Sequence, residues 1–363
     1  MTVLARFQTR LFSLPEMSSI RIAIVIPVYQ VERYIQECLD SVLKQTHENF
    51  IAFLVDDGST DRSGSICDDY ALRDSRFRVI HKPNGGVSSA RNTALDKIEE
   101  DGTFDFIAFI DSDDFVSPFF LEKLVSAVVD YNADYSLCNT ITFRDGETPV
   151  ERKFFIPAEK LDQTGVLEQY LGLNGWRKYK SKKKSLFNKL FSARAVRSFR
   201  FDARLRTGED VRYFAEVASN LKTGIVVNDS LYFYRVREGS LMTSPSPHDK
   251  PDRKKPANAD VTEETGDNGT TDLGLETIKI FMSQAPDGSG LYWAIHGQLI
   301  DALWKKLKGA YIKDNPSEIQ ACKSKLKNEM RPMRHLSMRH YRMMFLLALG
   351  DSMMRNYCSS RKK

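Results

Sequence analysis

Apolar and polar positions follow two rhythms in the first third of this chain. Ile22 to Val28 is a short run of mostly branched apolar residues and predicts a buried strand. After it, Val31, Tyr34, Ile35, Cys38, Leu39, Val42 and Leu43 recur at helical spacing, predicting one amphipathic helix over Glu32 to Lys44. The unit then repeats. Phe50 to Val55 predicts a second strand ending in the polar loop Asp56-Asp57-Gly58-Ser59-Thr60, and Ser63 is placed to cap a helix carrying Ile66, Cys67, Tyr70 and Ala71. Phe77 to Ile80 predicts a third strand, Asn84-Gly85-Gly86 a turn, and Ser88 to Ile98 a helix. Phe106 to Ile110 predicts a fourth strand, closing on Asp111-Ser112-Asp113-Asp114, with Pro118 at the first turn of the next helix.

Strands alternating with helices imply an α/β domain with a mostly parallel sheet covered on both faces. Such sheets bind ligands at the C-terminal ends of their strands. The Asp56-Asp57 loop and the Asp111 to Asp114 loop both follow strands, so they are expected to converge although more than fifty residues separate them. Beyond residue 130 the rhythm changes. Tyr135 to Phe143 predicts a strand, Asp162 to Leu173 and Glu209 to Leu221 helices, and Ile225 to Val227 and Leu231 to Tyr234 two short strands. Residues 243–272 hold almost nothing apolar and predict a disordered linker, because no core can form there. Helices are expected again over Leu273 to Met282, Leu291 to Tyr311 and from Pro316 onward. The expected organisation is a loose leader over 1–19, a catalytic domain over 20–242 (halves 20–130 and 131–242), the linker, and a helical region over 273–363.

Composition adds little to this picture except in charge and cysteine. The 363 residues carry a net charge of +5, a mild basic bias suited to an anionic small substrate or an anionic membrane surface. Five cysteines without paired spacing imply free thiols in a reducing, cytoplasmic setting. The longest apolar run near the end, Met343 to Leu349, is too short to span a bilayer.

The chemistry concentrates in carboxylates. Three in the four residues Asp111 to Asp114, directly after a buried strand, repel one another unless a cation or hydrogen-bond donors compensate. Oxygen ligands of this kind favour Mg²⁺ or Mn²⁺, and such an ion can hold a diphosphate. Glu209-Asp210 follows Gly208 and opens a helix, where carboxylates serve either as caps favoured by the helix dipole or as a general base. Asp56-Asp57 reads equally as a solvated turn.

Three ordered stretches carry a resemblance: IAIVIPVYQVERYIQECLDSVLKQTHENFIAFLVDDGSTDRSGSICDDYA, FRVIHKPNGGVSSARNTALD and FIAFIDSDDFVSPFFLEKLV. They resemble the family-2 inverting glycosyltransferases of GT-A fold, especially bacterial enzymes building capsule, lipopolysaccharide O-chain and exopolysaccharide. Weaker matches continue through SLFNKLFSARAVRSFRFDARLRTGEDVRYFAEV and LYFYRVREGSL, so that about 20 to 240 is covered. The resemblance implies a UDP-sugar donor with Pro27, Val28 and Tyr29 beside the nucleotide and Asp57 reading the uracil edge. It implies nucleotide contacts from Asn84 and Gly85, and a base or phosphate contact from Arg91. Asp111 and Asp113, flanking Ser112, are the D-x-D pair, with Asp113 the first choice as metal ligand and Asp111 for ribose or metal. Asp114 is implied as a sugar-binding or supporting carboxylate, Asp210 as the catalytic base and Glu209 as an orienting group. Lys189 is implied to face donor phosphate or acceptor, and Arg235 and Arg237 to close over the diphosphate. The Q-x-x-R-W motif of the processive members is not in the chain, which argues against synthesis of a long homopolymer.

The function so implied is metal-dependent transfer of a hexose or N-acetylhexosamine from a UDP-sugar to a hydroxyl of a glycan or lipid-linked acceptor. A nucleotidyltransferase is the first alternative, but it would usually carry a Gly-rich phosphate loop, which Val28-Tyr29-Gln30-Val31 is not. A noncatalytic scaffold of a polysaccharide assembly complex is the second; the retained Asp57, Asp113 and Asp210 argue against it. The basic run Arg177 to Lys184 reads as a solvated face or as attraction to an anionic acceptor or lipid; no nucleic-acid-binding module accompanies it. Arg and His among Met, Leu and Phe after Met330 make the C-terminal helices candidates for packing on the catalytic domain, homo-oligomer contact, or peripheral contact with the inner face of the membrane.

Overall fold

The computed structural model describes residues 17–150, 159–173, 185–205, 207–237, 272–287, 289–330, 343 and 354. The chain divides into two compact units, Met1–Pro251 and Asp252–Lys363. The basic run 177–184, residues 243–271 of the expected linker and nearly all of the tail after residue 330 lie outside the described residues.

The first unit is built on one Rossmann-like, mostly parallel sheet. Its strands are β1 (Ile22–Val28), β2 (Phe50–Asp56), β3 (Phe77–His81), β4 (Phe106–Phe109), β5 (Phe115–Val116), β6 (Tyr135–Arg144), β7 (Glu159–Asp162), β8 (Lys189–Ser192) and β9 (Thr223–Val236). They lie in the order β3-β2-β1-β4-β8-β6-β9-β5, with β7 on β9. The half β3-β2-β1-β4 is wholly parallel, and Val28 pairs with Asp56, so β1 and β2 end level with each other. β8 runs antiparallel to both β4 and β6 and joins this half to a mixed one.

Burial explains why β1 reads as continuously apolar: Ile22 to Ile26 have no exposed surface on either face. Ile22, Ile24, Ile26 and Val28 face a core shared with Ile35, Cys38, Leu39 and Val42 of α1 (Ile35–Leu43) and with Leu121, Leu124, Val125 and Val128 of α4 (Phe120–Tyr131). On the sheet also pack α2 (Ser63–Arg73) and α3 (Val87–Asp101), the latter with Ala90, Ala94, Leu95 and Ile98 buried. The mixed half carries α5 (Gln163–Leu171), α6 (Ala193–Val196) and α7 (Glu209–Val217).

Several local expectations are corrected. Ser63 does not cap α2: its hydroxyl accepts from the Val31 N–H at 2.8 Å, which ties the β1–α1 loop to the first turn of α2. Residues 32–34 form a turn, so α1 begins at Ile35. Pro118 precedes α4 rather than entering it. The two short strands expected near the end are one long strand, β9: its pairing with β6 breaks after Val226, resumes at Ser230 and, after a second register shift, continues from Tyr232 to Val236.

The second unit is helical. It comprises α8 (Asp272–Gln284), α9 (Gly290–Ile312) and α10 (Pro316–Met330), around Leu299, Ile300, Leu303, Trp304, Leu307, Leu326 and Met330. Among the described residues no helix is long and apolar enough to cross a membrane.

Candidate active site

The parallel half of the sheet delivers two acidic loops to its C-terminal end, one on either side of β1. Asp57 is buried, and its N–H donates to the Val28 carbonyl at 2.9 Å, locking the end of β2 to the end of β1. Its carboxylate organises the next turn. Oδ1 accepts from Lys82 Nζ at 2.5 Å and from Gly85 N–H at 3.0 Å, and Oδ2 accepts from Gly86 N–H at 2.7 Å. The turn needs its glycines. Gly86 stands at φ +85°, and a Cβ on Gly58 at φ +74° would meet the Asn84 nitrogen at 2.8 Å. Asp56 instead faces inward, accepting from Ser59 N–H at 3.0 Å and pairing with His81 Nδ1 at 2.9 Å. Burial pushes its carboxyl up, but the bonds from Ser59 and His81 outweigh it and leave it below the usual range. Beside this loop Pro27 and Val28 lie in β1, Tyr29 is half exposed, and Asn84 and Gly85 are exposed.

Gly86 also begins α3, and α3 carries Arg91 into the centre of the site. The Arg91 side chain is 5% exposed and spans three carboxylates. Nη1 donates to Glu209 Oε1 at 3.0 Å and to Asp210 Oδ1 at 2.6 Å, and Nη2 donates to Asp111 Oδ1 at 3.0 Å. Its guanidinium lies over the Phe201 ring, 5.2 Å from the centroid. Glu209 and Asp210 arrive because Gly208, at φ +80°, turns the chain into α7 with both acids in the first turn. A single guanidinium against three carboxylates leaves negative charge in excess. Burial pushes Asp111 up to about 6, with Asp210 and Asp113 adding and Arg91 opposing. Burial likewise pushes Asp210 up to about 6, again opposed by Arg91.

The Asp111 to Asp114 loop is held by β9. Tyr232 is a buried relay: its hydroxyl accepts from the Asp111 N–H at 3.1 Å and donates to Asp114 Oδ2 at 2.8 Å. Asp114 Oδ1 accepts from the Arg235 N–H at 2.7 Å, so Asp114 is a buried support, pushed well up by burial and by Asp113 and Asp111. Asp113 is more accessible than Asp114, its side chain 22% exposed, and its Oδ2 accepts from Arg237 Nε at 2.7 Å. Arg235 donates from Nε to the Asp113 carbonyl at 3.0 Å, while its Nη atoms engage Asp145 and Glu37. Ser112 is buried in the same loop. Lys189 is wholly buried at the start of β8.

The structure therefore gathers Arg91, Asp111, Glu209 and Asp210 around one guanidinium, ties Asp113 and Asp114 to β9, and sets Asp57 with Gly85 under α3. Sequence reasoning passed over Lys82, Tyr232, Glu37, Asp145 and Tyr170. Lys82, two residues before the Asn-Gly-Gly turn, offered a signal as a cation near Asp57. Tyr232 sits in an alternating apolar strand and offered none. No group of three or more His, Cys, Asp or Glu placed to hold a metal occurs among the described residues.

This sheet, with acidic loops at the ends of β2 and β4 and a carboxylate pair opening α7, defines a nucleotide-sugar transferase fold. The model of the family described as glycosyl transferase family 2 matches residues 23–202, and the chain belongs to that family. Glycosyltransferase GlyA of Streptococcus pneumoniae is 33% identical over 233 residues, covering 61% of this chain and 31% of GlyA. Glycosyltransferase GlyG of the same organism is 32% identical over 236 residues, covering 61% of this chain and 72% of GlyG. This chain thus spans under a third of GlyA's length. The crystal structure of S. aureus TarS 1–349 in complex with UDP-GlcNAc superposes with a TM-score of 0.58 at 20% identity, covering 85% of this chain and 80% of that one.

Proposed function

We propose that this chain is an inverting glycosyltransferase that moves a hexose or N-acetylhexosamine from a UDP-sugar to a hydroxyl of a glycan or lipid-linked acceptor in bacterial surface polysaccharide biosynthesis. The observation that carries this is the contact of Arg91 with Asp111, Glu209 and Asp210, which draws the strand-end D-x-D loop and the start of α7 into one cluster. A donor end and an acceptor-activating carboxylate are thereby adjacent, as a single displacement requires. The TarS structure, which shares the fold and was determined with UDP-GlcNAc, supports a uridine donor.

The nucleoside belongs at Asp57, with Pro27, Val28, Tyr29 and Asn84 beside it. An ionised carboxylate offers about four acceptor positions. Lys82, Gly85 and Gly86 occupy part of this capacity, and a uracil imide N–H is suited to what remains. The diphosphate belongs at Asp113, flanked by Arg237 and Arg235. Mn²⁺ or Mg²⁺ suits the hard oxygens of Asp113 and Asp111, since Mg²⁺ is commonly held by one or two carboxylates plus substrate phosphates. When bound, the ion would neutralise charge on the departing UDP.

The remaining roles fall to side chains of this chain. Asp210 takes the proton from the acceptor hydroxyl, and that oxygen attacks the anomeric carbon on the face opposite UDP. Its carboxyl is pushed up to about 6, so it is ionised at neutral pH yet more basic than an ordinary aspartate. Glu209 and Arg91 fix its orientation. Asp114, through Tyr232 and the Arg235 N–H, fixes the D-x-D loop. The test is a panel of UDP-sugars with Mn²⁺ and a bacterial glycolipid extract, read by UDP release and product mass. One donor is expected to give acceptor-dependent release that Asp210→Asn abolishes; full activity in that variant refutes the base assignment.

A further inference from the structure

Lys189 occupies a costly position for a lysine. The side chain has no exposed surface, and burial pushes its amine down to about 7, with the Asp210 carboxylate opposing. Burying an ammonium is unfavourable unless an opposing charge and acceptors compensate it. Both are present. Nζ donates to Asn188 Oδ1 at 2.6 Å, and the Asn188 amide is held in that orientation because its Nδ2 donates to the Cys138 carbonyl at 2.6 Å. The Tyr170 ring lies 5.8 Å from Nζ, and the Tyr170 hydroxyl donates to the Asp210 carbonyl at 3.2 Å. The Leu186 N–H bonds to the Asp210 carboxylate. The segment from Leu186 to Lys189, with Tyr170 of α5, thus encloses Asp210 from the protein interior, while the Asp210 side chain keeps 19% exposure toward solvent.

We propose that Lys189 is a positioning residue for Asp210: its anchored, buried ammonium supplies a second positive charge on the interior side of the carboxylate, complementing Arg91, and holds it ionised and aimed at the acceptor. This rests on the assignment of Asp210 as base. Lys189 does not touch donor or acceptor, since it has no accessible surface. Among the described residues, Lys189 faces Cys138 from β6, Tyr170 from α5, the neighbouring Asn188 and Asp210 from α7. Those facing Asp210 are Arg91 from α3, Asp111 from the D-x-D loop, Glu209 beside it, and Lys189. Removing one member of a buried charge pair costs stability when the other is left unpaired, but in Lys189→Met Asp210 keeps Arg91 as its partner.

The full-length chain is compared with Lys189→Met, Lys189→Arg, Asn188→Ala and Asp210→Asn. Affinity for UDP with Mn²⁺ is read by calorimetry, kcat and donor KM by UDP release from the active donor of the panel, and melting temperature by scanning calorimetry. In Lys189→Met, kcat is expected to fall about tenfold or more, within the range that a positioned base supplies. UDP affinity is expected to stay within about twofold, since only a transition-state interaction is lost. The melting temperature is unchanged or higher, and Lys189→Arg restores part of kcat. Asn188→Ala, which releases the anchor but keeps the charge, lowers kcat in the same direction. An unchanged kcat in Lys189→Met overturns the proposal, as does a fall in UDP affinity matching the fall in kcat. A fall in melting temperature without rescue by Lys189→Arg also overturns it, in favour of plain packing. If Lys189→Met does not fold, an unchanged kcat in Asn188→Ala decides against the proposal. Full activity in Asp210→Asn removes the base assignment itself. Loss in Asp210→Asn with no loss in Lys189→Met removes only the role of Lys189.

Discussion

At the scale of single residues, the site turns on charge crowding around Arg91. Removing that guanidinium strands three carboxylates, so Arg91→Met should cost about 3–5 kcal/mol of folding stability, the usual penalty for breaking a buried ion pair from one side. Urea denaturation measures it. Arg91→Lys keeps a charge but not the planar fork that reaches Asp111, Glu209 and Asp210 together, and a fall of about a hundredfold in kcat is expected in the UDP-release assay. The same crowding sets a pH dependence. As the proposed base Asp210 would act only as the anion, and it is pushed up to about 6, so turnover should fall as pH drops through that value. Stability moves the other way. A carboxyl whose folded pKa lies above its unfolded value contributes stability below the unfolded value and loses it as pH rises through the folded one. The contributions of Asp111 and Asp210 are therefore present below about pH 4 and lost by about pH 6. Asp210→Asn should accordingly melt higher than the parent at pH 8, with the gain shrinking toward pH 4. A gain independent of pH would show that the shift is not the cause.

At the scale of elements, two loops and two helix starts position everything, and their glycines mark where the backbone is committed. Gly58→Ala places a methyl group 2.8 Å from the Asn84 nitrogen at a positive φ. The expected cost is about 1–3 kcal/mol of strain. The expected functional effect is weaker UDP binding in calorimetry at little change in kcat, because the Asn84–Gly86 turn is pushed off Asp57. How much of this was legible in sequence follows from range of interaction. β1, β2 and the alternation of strand and helix were readable because apolar periodicity is a local property. So was the placing of Asp57 and Asp111 at the same C-terminal end of the sheet, on either side of β1, which follows from parallel topology alone. β8 was not readable: four residues, opened by a lysine and preceded by a basic run, carry no period, and only pairing with β4 and β6 makes them a strand. Nor was Ser63 as a tie to Val31, because its hydroxyl serves a backbone group thirty-two residues away instead of its own helix. The Arg91 hub was invisible for the same reason: Arg91 and Asp210 are joined only when α7 folds back beside β4.

At the scale of the whole molecule, chemistry and mass are divided unequally. Every residue assigned a role, from Pro27 to Arg237, lies in the unit Met1–Pro251, whose sheet and flanking helices form their own core. The unit Asp252–Lys363 has a separate core, centred on Leu299, Leu303, Leu307 and Leu326. Donor binding depends on distances held by the sheet, and each contact that fixes Asp57, Arg91, Asp113 and Asp114 is made inside the first unit. A chain ending at Pro251 is therefore expected to bind UDP with Mn²⁺ as tightly as the full chain when both are titrated by calorimetry. Loss of binding with a still cooperative melt would mean that the helical unit completes the donor site. If binding is kept while transfer to a glycolipid extract falls, the helical unit serves the acceptor or its membrane, the role its basic, Met- and Leu-rich sequence suits. Comparing UDP release with water and with glycolipid as acceptor separates these two outcomes, because hydrolysis needs only the donor site whereas transfer needs both.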